Sequence, residues 1–214
     1  MRMPLDELDG YVNAVRRLDK EYSGKIGIHL GLEAEYYPEY MNWLKDTRER
    51  CGIEYLLFGN HYDNVREDFY LGAARDPEDV RRYAQHAIKG LESGLFACLA
   101  HPDVFMQGYT RFDADCRSAS RDICVAAREH NVLLEYNLSG LYNHNRRGTG
   151  FPCPDFWEIA AQEGAAAIIG IDAHNPERFR DKELYDLAAM HLKSLGIKRA
   201  DTIAEQGLRP ASIA

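Results

Sequence analysis

The stretch of sequence that decides the fold is AAAIIGIDAH, residues 165–174. It is a short apolar run that ends in Asp172 and His174, and a helical pattern follows it. An apolar run of this length before a helix is typical of a buried parallel strand. Alternate residues of a strand point to the same side, so the two polar side chains would face one space. The stretch therefore predicts an α/β fold with polar side chains at the carboxyl end of a strand.

Three further apolar runs also end in a carboxylate or an imidazole. They are IGIHLGLE, YLLFGNH and FACLAH, which end in Glu33, His61 and His101. The carboxyl ends of parallel strands form one rim of a barrel-like α/β fold, where loops vary while strands hold position. Taken singly, each His is more simply a hydrogen-bonded structural residue, and Asp172 a helix N-cap. Their recurrence at one rim favours a metal site, since Zn, Mn and Fe accept this ligand set.

Strand and helix patterns alternate along the whole chain. Repeated alternation of this kind implies a parallel sheet, either open or closed into a barrel. Residues 139–154 are rich in Gly, Asn, His and Arg and are predicted to be a loop, and the segment from Ile197 is ambiguous between a short strand and a tail. Strands are predicted over 25–33, 54–60, 95–100, 132–137 and 165–171, and helices over 5–22, 38–51, 76–94, 113–130, 154–163 and 182–195.

Length and composition limit the classes of protein that fit. The 214 residues suit one domain, 1–214, with a full hydrophobic core. A net charge of −8 argues against a nucleic-acid partner, which would need clustered Lys and Arg. No apolar stretch approaches the ~20 residues that cross a bilayer, and the amino terminus is not a secretory signal. Five cysteines without a C-x-x-C spacing predict reduced thiols and a cytoplasmic location.

In order along the chain, the motifs resemble those of the PHP (polymerase and histidinol phosphatase) superfamily, in its histidinol-phosphatase branch. The resemblance covers nearly the whole chain and is carried by GLEAEY, FGNHY, AHPD, EYNLSGL and IDAHNPE. It implies a distorted seven-stranded (β/α) TIM-like barrel with up to three divalent metal ions, Zn, Mn or Fe, at its carboxyl rim. It also implies that a metal-activated water hydrolyses L-histidinol phosphate to L-histidinol and phosphate, a step of histidine biosynthesis.

The resemblance also implies a role for each residue of the rim. Glu33 corresponds to the bridging carboxylate, and His61 and His101 correspond to ligands of the second and third metal ions. Asp172 and His174 close the site, so Glu33, Asp172 and His174 are the predicted catalytic residues. Glu35 is a second carboxylate two residues beyond Glu33, and we rank it below Glu33.

Three residues that lie at the end of the fourth predicted strand or beyond it are candidates to bind a small phosphorylated substrate. Arg146 and Arg147 would clamp the phosphate, although two solvated loop charges explain them equally well. Asn137, at the strand end, would donate a hydrogen bond to the substrate or support a metal ligand. His144, beside the arginines, is a weaker candidate to assist the leaving group.

The chain departs from the family at its front. The family begins with a strand that ends in His-x-His, and a further His follows the second strand, but this chain contains neither motif. We therefore expect about two strands, roughly 40–60 residues, to be missing before Met1. Unpaired strand edges would then favour a homo-oligomer. The alternatives are an inactive PHP-fold domain, a PHP phosphoesterase with another substrate and, less well supported by motif order, a TIM-barrel amidohydrolase or sugar-phosphate enzyme.

Overall fold

The structure, a computed structural model, describes residues 3–148 and 150–203. Five strands alternate with helices along these residues, as the sequence predicts. The strands are β1 Gly31–Ala34, β2 Tyr55–Phe58, β3 Cys98–Leu99, β4 Leu133–Asn137 and β5 Ala167–Gly170. The helices are α1 Leu8–Glu21, α2 Met41–Cys51, α3 Pro77–Glu92, α4 Ala114–Glu129, α5 Leu138–Arg147, α6 Pro154–Gln162 and α7 Lys182–Ser194.

All five strands belong to one parallel sheet in the order β1-β2-β3-β4-β5. Because the strands are parallel, their carboxyl ends lie along the same edge of the sheet. Within the described ranges the sheet is open, with β1 at one side and β5 at the other. A single parallel bridge between Ala167 and Arg199 extends it beyond β5. The structure thus confirms a parallel α/β fold, whereas a closed TIM-like barrel is not found in this part of the chain.

Local signals explain where the helices begin and end. The Asp76 carboxylate accepts hydrogen bonds from the backbone N–H groups of Glu78 and Asp79, at 2.9 and 3.0 Å, and so caps α3. Asp113 caps α4 in the same way. Gly52 ends α2 in the left-handed conformation at φ 60°, which costs glycine little.

The core lies between the sheet and the helices that cover it. Helix α3 packs against α4, and α4 packs against α6. All five positions of β4 are buried, and Phe58, Leu99 and Trp157 are among the fully buried side chains. No helix in the described residues is long and apolar enough to cross a membrane.

Several predicted boundaries are wrong, above all those of the loop over 139–154 and of the first strand. Residues 139–154 are not all loop, because α5 occupies Leu138–Arg147. The Asn137 side chain caps this helix, and Gly148 ends it at φ 67°, but its polar composition hides it in the sequence. The first strand begins at Gly31 rather than at residue 25, and Ile26 before it is exposed, because its partner β2 spans only four residues.

Candidate metal centre

Glu33, His61 and His101 meet at the carboxyl edge of the sheet. Glu33 is the third residue of β1, whereas His61 and His101 follow β2 and β3 by three and two residues. One ligand atom from each lies within 4.8 Å of the others. The structure therefore brings three of the five predicted ligands into one cluster.

The spacing inside this cluster fits a shared cation better than hydrogen bonds. The Oε1 atom of Glu33 lies 3.7 Å from Nε2 of His61 and 3.6 Å from Nε2 of His101. Hydrogen bonds between N–H and O rarely exceed about 3.2 Å. Two ligands that each lie about 2.0–2.1 Å from one tetrahedral zinc ion are about 3.4 Å apart. The two distances from Glu33 to the imidazoles thus fit ligands of one divalent metal ion.

Glu35 fixes the orientation of His61. Its Oε1 lies 2.8 Å from Nδ1 of His61, and its Oε2 accepts hydrogen bonds from the backbone N–H groups of His61 and Tyr62 at 3.1 and 3.2 Å. The Glu35 side chain is only 8% exposed. A carboxylate that accepts the Nδ1 proton leaves the Nε2 lone pair free for a metal ion, a common arrangement around ligating histidines.

The backbone around the cluster is tightly constrained. A Cβ atom on Gly59 would lie 2.5 Å from Oε1 of Glu33 and 2.7 Å from Cε1 of His61, so a side chain there would have to displace them. His101 and Asp172 adopt positive φ angles of 32° and 48°, which non-glycine residues rarely do. Such conformations cost about 1–3 kcal/mol each and are found preferentially at functional sites.

Asp172 and His174 border the same space but stand apart from the cluster. They line a cavity of ≈ 1000 Å³ together with the cluster residues. Asp172 Oδ2 accepts a hydrogen bond from Nδ2 of Asn137 at 3.1 Å. The His174 side chain is 82% exposed, and its Nδ1 lies 3.5 Å from Oδ1 of Asp172. These two predicted ligands line the cavity but do not belong to the group of three.

The charges of the cluster are complementary. Burial raises the pKa of Glu33, but the nearby imidazoles of His101 and His61 outweigh it, and the pKa is lowered overall. Burial lowers the pKa of His101, but Glu33 and Glu135 outweigh it and raise this pKa to about 9. Among the described residues, the buried Nδ1 of His101 has no hydrogen-bond partner. A carboxylate and two imidazoles are ligands that a divalent cation such as zinc accepts.

The predicted substrate-binding residues lie in helix α5 or cap it. Arg146 lies in the last turn of α5, exposed, with its guanidinium 4.3 Å from the centre of the Tyr142 ring. It is not among the described residues that line the cavity. Arg147 also belongs to α5, and its side chain lies outside the described part of the structure. The buried amide of Asn137 contacts Asp172 rather than the open cavity.

Sequence reasoning missed Glu135, a buried acidic residue in β4. Its Oε2 accepts hydrogen bonds from the backbone N–H of His101 at 3.0 Å and from Nδ2 of Asn137 at 2.8 Å. The available signal was its position inside the apolar run VLLEYN, where a charged residue is unexpected.

Comparisons with known proteins find relatives of this chain. No family model matches the chain. The chain is 27% identical over 206 residues to a protein of Deinococcus radiodurans named "Probable histidinol-phosphatase", and the match covers 87% of this chain and 75% of that protein. It is 26% identical to a protein of Schizosaccharomyces pombe with the same name, covering 88% of this chain and 66% of the relative.

A solved structure shares the fold. It is the histidinol phosphate phosphatase of Lactococcus lactis complexed with zinc, L-histidinol and phosphate, with a TM-score of 0.71 at 18% identity. The alignment covers 91% of this chain and 76% of that chain. The fold and the cluster thus define a parallel α/β protein with a candidate divalent-metal centre at the strand ends. The comparisons agree with the resemblance predicted from the motifs: the chain is similar in sequence to two proteins named histidinol-phosphatase and shares its fold with a solved histidinol phosphate phosphatase.

Proposed function

We propose that this chain is a metal-dependent phosphomonoester hydrolase whose substrate is L-histidinol phosphate. The observation that carries the proposal is the cluster of Glu33, His61 and His101 at the strand ends. It occurs in a fold shared with a protein solved with zinc, L-histidinol and phosphate, and two relatives carry the name histidinol-phosphatase.

The five rim residues would have different roles in the site. Glu33, His61 and His101 would hold one divalent cation, and Asp172 and His174 would complete the ligand set for further ions. Bound Zn, Mn or Fe ions would supply neutralising charge at the phosphoryl oxygens and lower the pKa of water. Glu33 would serve as the bridging carboxylate, and Asp172 could also accept a proton from water.

The substrate would enter the cavity of ≈ 1000 Å³ that the rim residues line. Arg146 and Arg147 are proposed to clamp the phosphate, because α5, which carries them, begins directly after the rim strand β4. Asn137 is proposed to act by supporting Asp172, the second of the two roles considered for it, since its amide already donates to that carboxylate.

We also propose the wider setting of this domain. Residues 1–214 would form one domain whose five-stranded sheet is part of a distorted seven-stranded TIM-like barrel, supported by the strand order and the extra Ala167–Arg199 bridge. The open β1 edge would favour a homo-oligomer. A net charge of −8 supports the absence of a nucleic-acid partner, and five free, buried cysteines support a cytoplasmic location.

One observation favours the alternative of an inactive PHP-fold domain. The metal-ligand group found in the described residues contains three of the five predicted ligands, and His174 is largely exposed. A centre for up to three ions would need more ligands than this group provides.

The two functions are separated by an activity assay on the chain purified without chelators and loaded with Zn²⁺ or Mn²⁺. We expect phosphate release from L-histidinol phosphate that stops when EDTA removes the metal and that Glu33→Gln lowers to the metal-free level. Glu54→Gln is the matched control. Glu54 is not among the described residues that line the cavity, and it pairs with Nδ1 of His29 at a distance of 2.7 Å. A loaded chain without phosphatase activity would favour the inactive domain, and the same assay on a chain extended by the upstream in-frame residues would test the missing-strand prediction.

A further inference from the structure

We infer that Glu135 is a positioning residue that connects the cluster residue His101 to Asp172 and fixes the distance between them. The inference deepens the proposed function and rests on it for the identity of the metal ligands. Glu135 lies in β4, between the strands that carry His101 and Asp172, and it is almost completely buried. Among the described residues it does not line the cavity, so it would act through its neighbours.

The contacts of Glu135 reach both neighbouring strands. On the β3 side, its Oε2 accepts the backbone N–H of His101 at 3.0 Å. On the β5 side, its Oε1 packs so closely on Gly170 that a Cβ atom there would lie 1.8 Å away. Gly170 is two residues before Asp172, so the carboxylate contacts the backbone that leads to both candidate ligands.

Asn137 completes the connection. Its Oδ1 accepts the backbone N–H of Gly140 at 2.6 Å, which fixes the orientation of the amide. Its Nδ2 therefore faces the carboxylates and donates to Glu135 at 2.8 Å and to Asp172 at 3.1 Å. One amide group holds two acidic side chains that would otherwise repel each other.

The energetic cost of this arrangement argues for a role beyond stability. A buried carboxylate is expensive unless it is well hydrogen bonded, and an apolar residue of similar size is often at least as stable. The two residues that the network connects, His101 and Asp172, are both held at strained positive φ angles. Glu135 thus costs stability while it constrains two strained candidate ligands. Such a residue is expected at a functional site, where the positions of the ligands must be held closely.

The experiment replaces Glu135 by Gln in the full chain and uses Asp103→Asn as the matched control. Asp103 is also a buried acid, but its carboxylate accepts the backbone N–H of Cys153 at 2.6 Å. Zn²⁺ affinity is measured by competition, and the visible spectrum of bound Co²⁺ reports ligand geometry. Amide hydrogen exchange of the metal-free chain is followed in the segments around residues 101 and 172.

We expect Glu135→Gln to weaken Zn²⁺ binding about 10- to 100-fold and to change the Co²⁺ spectrum, without lowering the metal-free Tm. Exchange should become faster in both segments together, whereas Asp103→Asn should leave affinity, spectrum and the segment around residue 172 unchanged. Unchanged affinity and spectrum, or a loss of affinity matched by an equal loss of metal-free stability, would overturn the inference.

A second variant and the exchange data keep the test decisive. If Glu135→Gln does not fold, Asn137→Ser retains a side chain that can cap α5 but removes the amide that joins the two carboxylates, so it should cause the same spectral change. If the unmutated chain binds no metal, the proposed function fails. The exchange of the two segments then decides separately whether Glu135 connects them.

Discussion

The Glu33 carboxylate and the His101 imidazole carry opposite charges in the metal-free protein, because each shifts the pKa of the other toward its charged form. A metal ion that binds the imidazole must first displace its proton. The Gly59 backbone lies close to Glu33 and His61, so an added methyl group there would displace these side chains. At the scale of single residues, two features define the site. One is whether the His101 imidazole carries a proton, and the other is how closely the Gly59 backbone approaches Glu33 and His61.

The first prediction concerns pH. The pKa of His101 is about 9 in the folded protein against about 6.5 when unfolded, so its charge stabilises the metal-free fold below pH 6.5. That stabilisation is lost as the pH rises from about 6.5 to 9, while Zn²⁺ affinity rises over the same range. Calorimetry in buffers of different ionisation enthalpy should detect proton release on binding. A Zn²⁺ affinity that stays flat across this window would contradict the assignment.

The second prediction concerns Gly59. Substitution by Ala places a methyl group within 2.5 Å of Glu33 Oε1, so we expect Zn²⁺ affinity to fall about 10- to 100-fold. Competition titration with a chromogenic chelator measures the change. Gly10→Ala is the control, because nothing lies within 4 Å of its Cβ position on α1, and it should keep full affinity. Equal affinities for both variants would show that the site can expand.

At the scale of elements, each strand places one polar residue at the rim, and capped helices set where the chain turns back. Glu35 directly follows β1, and Glu135 lies in β4. Each of them orients a ligand that belongs to a neighbouring strand. The Asp76 cap acts locally instead, since its carboxylate bonds only to the first turn of its own helix. Loss of this cap should therefore change stability without changing the site.

The third prediction tests this separation. Asp76→Ala removes both hydrogen bonds to the first turn of α3 and should lower the free energy of unfolding by about 1 kcal/mol. Urea denaturation of the metal-free chain measures the difference. Asp76→Ser should keep most of the stability, and both variants should bind Zn²⁺ as the unmutated chain does. A large loss of affinity in Asp76→Ala would show that α3 and the rim are coupled.

At the scale of the whole molecule, the cluster joins three adjacent strands at one edge of the sheet, and β1 is the outermost of them. A ligand that binds only the folded state stabilises that state by mass action. Metal bound to Glu33, His61 and His101 would therefore also fasten β1 to the rest of the sheet.

The fourth prediction follows from this linkage. At free Zn²⁺ about 100-fold above its Kd, binding should add about 2.7 kcal/mol of stability. For a chain of this size that corresponds to a rise in Tm of roughly 5–10 °C. Thermal unfolding with EDTA and with Zn²⁺ measures the shift, and Glu33→Gln should abolish it. A Tm that does not respond to Zn²⁺ would mean that the cluster does not bind the ion in the folded chain.

The sequence by itself determined the strands, their parallel arrangement and the rim position of Glu33, His61 and His101, because these follow from local apolar runs and from the regular spacing of strand and helix. It did not reveal α5, since the polar residues of that helix carry little periodic signal. Nor did it show that Glu35 orients His61, or that Glu135 and Asn137 connect His101 with Asp172. Those roles depend on which strands are neighbours and where side chains point, and only the tertiary structure decided them because contacts between residues 26 to 35 positions apart have no local signature.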